Sequence, residues 1–271
     1  MNCKQQVPKS VIITVISKVS NVVQRETIRR TWGNLQMQAK YNFSLYFLLG
    51  TEENFDLKDE IILNGDIIQA DIMEDYYHLT EKSIEAFKWI TLFCHKADYF
   101  FKTDDDVFFD LEFLREVQND GDYLMDDVIL GHCVFKGMPS RVEGTKYEIT
   151  KDEYPFRFYP PYCGGPGYLM TLNTARKIYS EMLTTRNFKY EDVYLGIVIY
   201  RLGLKLKHID CFVYLKNEKK EKELEKNSEQ YCNVRCSRVI HGLKPGDIQH
   251  YWDTLGTERR NRKNCDDLEV H

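Results

Sequence analysis

The stretch YFFKTDDDVFFD (residues 99–110) sets three consecutive carboxylates, Asp104, Asp105 and Asp106, between aromatic runs. Adjacent carboxylates repel, and apolar neighbours draw them toward a poorly solvated place where unpaired charge is costly. A hard divalent cation removes that cost, because carboxylate oxygens are among its preferred ligands. An ion held by so few protein atoms keeps positions open for water and phosphate oxygens, as ions that serve diphosphate substrates do. The bland alternative is a solvated acidic turn; the aromatic residues on either side weigh against it.

The elements around the triplet say where it must sit. VIITVISKV (11–19), FSLYFLLG (43–50), GDIIQADI (65–72) and ADYFFKT (97–103) read as buried strands. Between them lie a loop running into a short basic helix in NVVQRETIRRTWG (21–33), an acidic helix, and TEKSIEAFKWITLF (80–93), with Thr80 as its expected N-cap. Asp110 is expected to cap LEFLREV, whose Leu111, Leu114 and Val117 share one face. This alternation predicts an α/β fold with a mainly parallel sheet and helices on both faces. Such sheets bind ligands beyond the carboxyl ends of their strands, where YFFK delivers the triplet. Strand alternation puts Asp104 and Asp106 on one side and Asp105 on the other, unless a turn rotates them.

The second half is less regular. It offers a strand near DVILGHCVF (127–135), a loop region through YPFRFYPPYCGGPGY (154–168), a helix TARKIYSEML capped by Asn173, and a helix EDVYLGIVIYRLG ending on Gly203. The charged run KNEKKEKELEKNSEQ (216–230) reads as a solvated helix or insertion. No linker divides the chain, so the expectation is one domain over 1–271. It comprises a nucleotide-binding half (10–125), an acceptor-side half (126–245), the 216–230 insertion and a C-terminal tail (246–271).

With 271 residues, 43% apolar content, 15 Phe and 18 Tyr, the chain can bury a large core. Its net charge of −5 argues against nucleic-acid binding and requires any anionic ligand to find a local cation. The eight cysteines include no CxxC and are either a disulfide set from an oxidising compartment or buried thiols. No 18-residue apolar run is present, and Asn42-Phe43-Ser44 is the one glycosylation sequon.

The triplet and its companions resemble a known family. YFFKTDDDVFFD is similar to the K-x-DDD-V-F segment of the β1,3-galactosyltransferase-like glycosyltransferases. RETIRRTWG (25–33), YFLLG (46–50), GDIIQADIMEDYYHLTEKS (65–83), YPPYCGGPGY (159–168) and EDVYLG (191–196) resemble that family's other blocks, in its order, across roughly residues 10–245. The resemblance implies a GT-A fold, a UDP-sugar donor and Mn²⁺. It further implies an inverting β1,3 transfer to an oligosaccharide acceptor on a glycoprotein or glycolipid, in the Golgi lumen. Membrane association would then come only through a segment absent from this chain. A catalytically silent member, kept as a glycan- or protein-binding module, is the alternative.

On that resemblance Asp106 is the direct metal ligand, His241 in VIHGLKP the second, Asp104 contacts the ribose or uracil, and Asp105 supports the site. Asp192 of the E-D-V motif is the base; as a first-turn acid its ionised form is favoured by the helix dipole, which makes it a weak base. Arg25, Arg29 and Arg30 form a compact basic cluster for the nucleotide end, since guanidinium matches phosphate geometry, although Arg30 could equally pair with a structural carboxylate. Gly164 and Gly165 let the backbone approach a ligand, beside Tyr159 and Tyr162, on which a sugar ring can stack. Two departures stand out: His78-Leu79-Thr80 replaces the family's usual N-L-T, and GIVIY lacks the cysteine expected to pair with Cys163.

Overall fold

The structure, a computed structural model, describes residues 9–119, 124–210, 212–214 and 237–258. The run 216–230 lies outside the described residues. In chain order the elements of the first half are β1 (Val11–Ile16), α1 (Val22–Arg30), α2 (Leu35–Tyr41), β2 (Phe43–Thr51), α3 (Lys58–Asn64), β3 (Ile67–Met73), α4 (Leu79–Phe93), β4 (Tyr99–Asp104), β5 (Val107–Phe109) and α5 (Leu111–Asn119). They continue with β6 (Val128–Val134), β7 (Tyr162–Thr171), α6 (Leu172–Met182), α7 (Glu191–Leu202), β8 (Lys205–His208), β9 (Phe212–Tyr214), β10 (Val239–His241) and α8 (Pro245–Glu258).

Seven strands form one sheet in the order β3-β2-β1-β4-β7-β6-β8. The run β3-β2-β1-β4 is parallel, β7 is antiparallel to both β4 and β6, and β8 is parallel to β6. The sheet therefore crosses the boundary between the two expected halves without a break. Strand alternation divides its core. Val11, Ile13, Val15, Phe47 and Phe101 face Ile28, Trp32 and Leu114, whereas Ile12, Tyr46 and Phe100 face Phe87, Ile178 and Tyr194. Helices thus cover both faces.

From β1 the chain crosses to β2 on one side, and β4 lies on the other, so the strand order reverses between β1 and β4. That is the topological switch point at which such sheets open a crevice. A second, three-stranded sheet, β5-β10-β9, closes over the end of β4. Its β10 runs antiparallel to β5, pairing His241 with Val107.

Several local expectations need correction. Thr80 does not cap α4: the helix begins one residue earlier, and the Thr80 hydroxyl donates to the Phe188 carbonyl at 2.7 Å. The N-cap of α6 is Thr171, which accepts from the Thr174 amide, while Asn173 donates to Asp126. The expected loop through residue 168 becomes strand from Tyr162 onward, because pairing with β4 and β6 satisfies the backbone of YCGGPGY. The expected C-terminal tail is helix α8 as far as Glu258, which buries Ile248 and Tyr251 in the core. Asp110 does cap α5, accepting from the Glu112 amide at 2.9 Å, and Gly203 ends α7 in the left-handed conformation.

Candidate active site

A cavity of about 580 Å³ opens outside the carboxyl ends of β1 and β4. Lys102, Asp104, Asp105 and Asp106 line it from β4 and the turn after it, Ser17 and Asn21 from the end of β1, and Glu191 and Asp192 from the start of α7. The turn separates the three aspartates. Asp105 is buried and points to the β1 side, accepting from Ser17 Oγ at 2.6 Å and Asn21 Nδ2 at 2.8 Å. Asp104 and Asp106 instead converge with His241 of β10, each offering a ligand atom within 4.8 Å of the others.

These three residues fit a divalent cation. Asp106 Oδ1 is buried and accepts no hydrogen bond, although His241 Nε2 stands 3.3 Å away. Burial, then Asp104 and Asp105, push the Asp106 carboxyl up to about 7. Carboxylates crowded to that degree are what a bound cation relieves, and an oxygen–imidazole donor set suits a first-row metal.

A second buried cluster ties this end of the cavity to Asp192. Lys102 Nζ donates to Asp104 Oδ1 at 2.9 Å and to the Gly165 carbonyl at 2.8 Å, and lies 3.6 Å from Glu191 Oε2. Burial works against its charge, yet Asp104 and Glu191 hold its pKa above the ordinary lysine value. Glu191 Oε1 accepts from Ser83 Oγ and Tyr168 OH, both at 2.9 Å, which pins the first turn of α7 to α4 and β7. The space left by the missing side chain of Gly165 is taken by this cluster: a Cβ there would lie 3.1 Å from Glu191 Oε2. Gly164 lines the cavity beside it.

Asp192 differs from the sequence expectation. Its position at the start of α7 suggests an acidic, weakly basic carboxyl, and the Val193 amide does donate to Oδ1 at 2.8 Å. Burial and the neighbouring Glu191 outweigh that, and its pKa is pushed up to about 6. The result is a stronger base than first-turn placement alone would give.

The arginine cluster is not brought to the cavity. Arg25 is fully buried, with Nε and Nη2 on Glu60 at 2.8 and 2.6 Å and further donors on the Lys18 and Val19 carbonyls. Arg29 binds Asp66 through two nitrogens and also reaches Glu26 and Glu60, while Arg30 is exposed and donates to the Glu26 carbonyl. The Arg25 and Arg29 guanidinium groups are spent on carboxylates of α1, α3 and the approach to β3, so these two brace the sheet edge. Arg25 reaches the site through Ser17 Oγ, at 3.2 Å, which in turn holds Asp105, and through the Lys18 carbonyl. Sequence reasoning missed Lys18, Lys82, Lys102, Ser17, Asn21 and Ser83. Of these, Lys102 carried a readable signal, a lysine two residues before the acidic triplet; the others lie on distant segments that only the fold assembles.

Residues 23–210 match the family model described as Galactosyltransferase. The chain belongs to the galactosyltransferase family. Among its relatives is human UDP-GalNAc:beta-1,3-N-acetylgalactosaminyltransferase 1, 33% identical over 267 residues, covering 94% of this chain and 76% of that protein. Human Beta-1,3-galactosyltransferase 5 is 28% identical over 261 residues, covering 94% of this chain and 81% of its own. The mixed α/β architecture, with its mainly parallel sheet covered on both faces, agrees with that membership. Fainter is the likeness to the solved WbbM bifunctional glycosyltransferase in its apo form, at 12% identity and a TM-score of 0.49, over 97% of this chain and 53% of that one. Where this galactosyltransferase-family chain lacks the cysteine expected after E-D-V, Cys163 is joined instead to Cys133 on the adjacent strand β6. Among the described residues no helix is long and apolar enough to cross a membrane.

Proposed function

We infer that the protein is an inverting, metal-dependent UDP-sugar transferase, moving a hexose or N-acetylhexosamine to a glycan hydroxyl in β1,3 linkage. The observation that carries the reading is the convergence of a cation-fitting trio, Asp104, Asp106 and His241, with an elevated-pKa carboxylate, Asp192, in one cavity at the switch point of the sheet. The family membership and the donors named for its relatives support the same reading.

Asp106 and His241 would hold the metal, with Asp104 beside them; such an ion, Mn²⁺ in this reading, would supply positive charge for the diphosphate of the departing UDP. Lys102 fixes Asp104 and the Gly165 carbonyl in one geometry. Ser17 and Asn21 hold Asp105 away from Asp106 and His241, toward the end of β1. Asp192 takes the proton of the acceptor hydroxyl as its oxygen attacks the anomeric carbon. The new carbon–oxygen bond forms on the face opposite the bond that breaks to UDP, so the configuration inverts without a covalent intermediate. The Cys133–Cys163 disulfide supports an oxidising setting such as the Golgi lumen. A catalytically silent module is not favoured, because the carboxylates such a module would be free to lose are all present and converge.

A donor screen tests this. UDP-galactose, UDP-glucose and the two UDP-N-acetylhexosamines, each with Mn²⁺, should include one that releases UDP, with loss on chelation. Asp192→Asn should bind UDP and Mn²⁺ yet transfer no sugar. Wild-type turnover by that variant would overturn the base assignment; absence of metal-dependent UDP binding would overturn the transferase reading.

A further inference from the structure

The two sides of the cavity are chemically unlike. Around the acidic turn the lining is carboxylates, Ser17, Asn21 and Lys18; across from it stand five tyrosines, Tyr76, Tyr147, Tyr159, Tyr162 and Tyr190. Tyr76 and Tyr162 lie close enough to Asp192 to feel its charge, which adds to burial in raising their phenol pKa values. Tyr162 packs closely against two glycines. A Cβ on Gly137 would come within 2.7 Å of its ring, and one on Gly196 within 2.6 Å of its Cβ. Rings with polar tips suit a pyranose, whose apolar faces stack and whose hydroxyls meet the phenols.

Charge bookkeeping adds a second, independent observation. Five lysines line the cavity. Lys82, Lys102 and Lys189 have carboxylate partners, Glu74 at 3.0 Å and Asp104 and Glu153 at 2.9 Å. Lys18 follows Ser17, whose hydroxyl holds Asp105, and so belongs to the acidic side. Lys146, on the tyrosine side, has its ammonium 3.6 Å from the Tyr76 ring centre and 5.5 Å from that of Tyr147, with no carboxylate partner among the described residues. Such ring contacts hold an ammonium in place while leaving its N–H donors for another group.

The loop that carries Lys146 is fastened. Arg141 donates to the carbonyls of Ile149, Thr150, Tyr154 and Phe156, and Tyr190 OH donates to the Glu148 carbonyl at 2.6 Å, beside the start of α7. A lysine resting on aromatic rings is an ordinary surface device. This one lies over the ring of Tyr76, which neighbours Asp192, inside the same cavity.

We propose that the tyrosine side is the acceptor subsite, and that Lys146 makes it selective for acceptor glycans bearing an acidic group, a sulfate ester or a carboxylate, on the sugar at Asp192 or its neighbour. The proposal rests on Asp192 being the base.

The test compares matched acceptors: a β-galactoside and a β-N-acetylglucosaminide with their 6-O-sulfates, and a β-glucoside with the corresponding glucuronide. Acceptor-dependent UDP release gives kcat/KM for each, and calorimetry gives UDP affinity in Mn²⁺. Wild type should favour the acidic member of at least one pair by about five- to tenfold, through KM, as expected for a partly desolvated ion pair. Lys146→Met should bring that ratio to about one, and Lys146→Glu should invert it. A sulfate-only or carboxylate-only preference identifies which acid the site takes. Equal use of neutral and acidic acceptors by wild type overturns the proposal, as does an unchanged ratio in both variants. A fall in UDP affinity in Lys146→Met would assign the lysine to the donor and also overturn it. Failure of the underlying reading would look different: no donor would release UDP, or Asp192→Asn would transfer normally, and the proposal would fall with it.

Discussion

The elevated Asp192 carboxyl makes the pH profile the most informative measurement. A base must be ionised to act, so activity is present above its pKa and lost as pH falls through it. With that pKa at about 6, kcat at saturating donor, acceptor and Mn²⁺ should halve near pH 6 and fall about tenfold per pH unit below. At pH 5 roughly one-tenth of the activity should remain, whereas an ordinary aspartate would retain over nine-tenths. The difference from an ordinary aspartate is worth about 3 kcal/mol, supplied first by burial and then by Glu191. Glu191→Gln keeps an oxygen for Ser83 and Tyr168 but removes the charge, so its limb should move to lower pH. The Asp106 carboxyl, at about 7 without metal, would produce a separate limb in Mn²⁺ affinity, and saturating Mn²⁺ should suppress it. A wild-type kcat that stays flat down to pH 5 would refute the assignment of Asp192. So would a limb in Glu191→Gln that sits at higher pH than in wild type.

Three further outcomes follow from the geometry. Asp106→Asn should abolish Mn²⁺-dependent UDP binding by calorimetry while leaving the melting temperature near wild type; retained metal dependence would remove Asp106 from the ligand set. Glu74→Ala leaves Lys82 buried without its carboxylate and removes the acceptor of the Gly50 amide, costing about 3–5 kcal/mol, or roughly 6–20 °C in melting temperature. A change under about 3 °C by differential scanning fluorimetry would contradict that account. Arg29→Ala should lower stability by about 2–3 kcal/mol, since Asp66 loses its partner and Glu60 keeps only Arg25, with UDP affinity within about twofold of wild type. A large loss of UDP affinity in a folded Arg29→Ala protein would return the arginine to the nucleotide.

The parallel part of the sheet was legible because its strands are short, β-branched and aromatic, and separated by helical patterns. The acidic triplet could be placed at a strand end for the same reason. What could not be read was pairing between distant segments. The β10 strand is three residues long, and β7 looks like a loop because proline and glycine dominate its start. The arginines of α1 look like phosphate ligands in one dimension; their carboxylate partners lie on α3 and before β3, out of reach of local pattern. Asp192 was legible as a carboxylate on a first turn, but its basicity depends on burial, which sequence periodicity does not report.

The His241–Val107 pairing carries an implication for how the site can be lost. A metal-fitting histidine placed by a three-residue strand is placed by parity, because each step along a strand turns the side chain to the opposite face. One residue inserted or deleted between Val239 and His241 would keep every donor atom in the chain and most of the sheet's hydrogen bonds, yet aim the imidazole away from Asp106. Sequence inspection would score such a chain as intact. Its defect would be one of phase, not of composition.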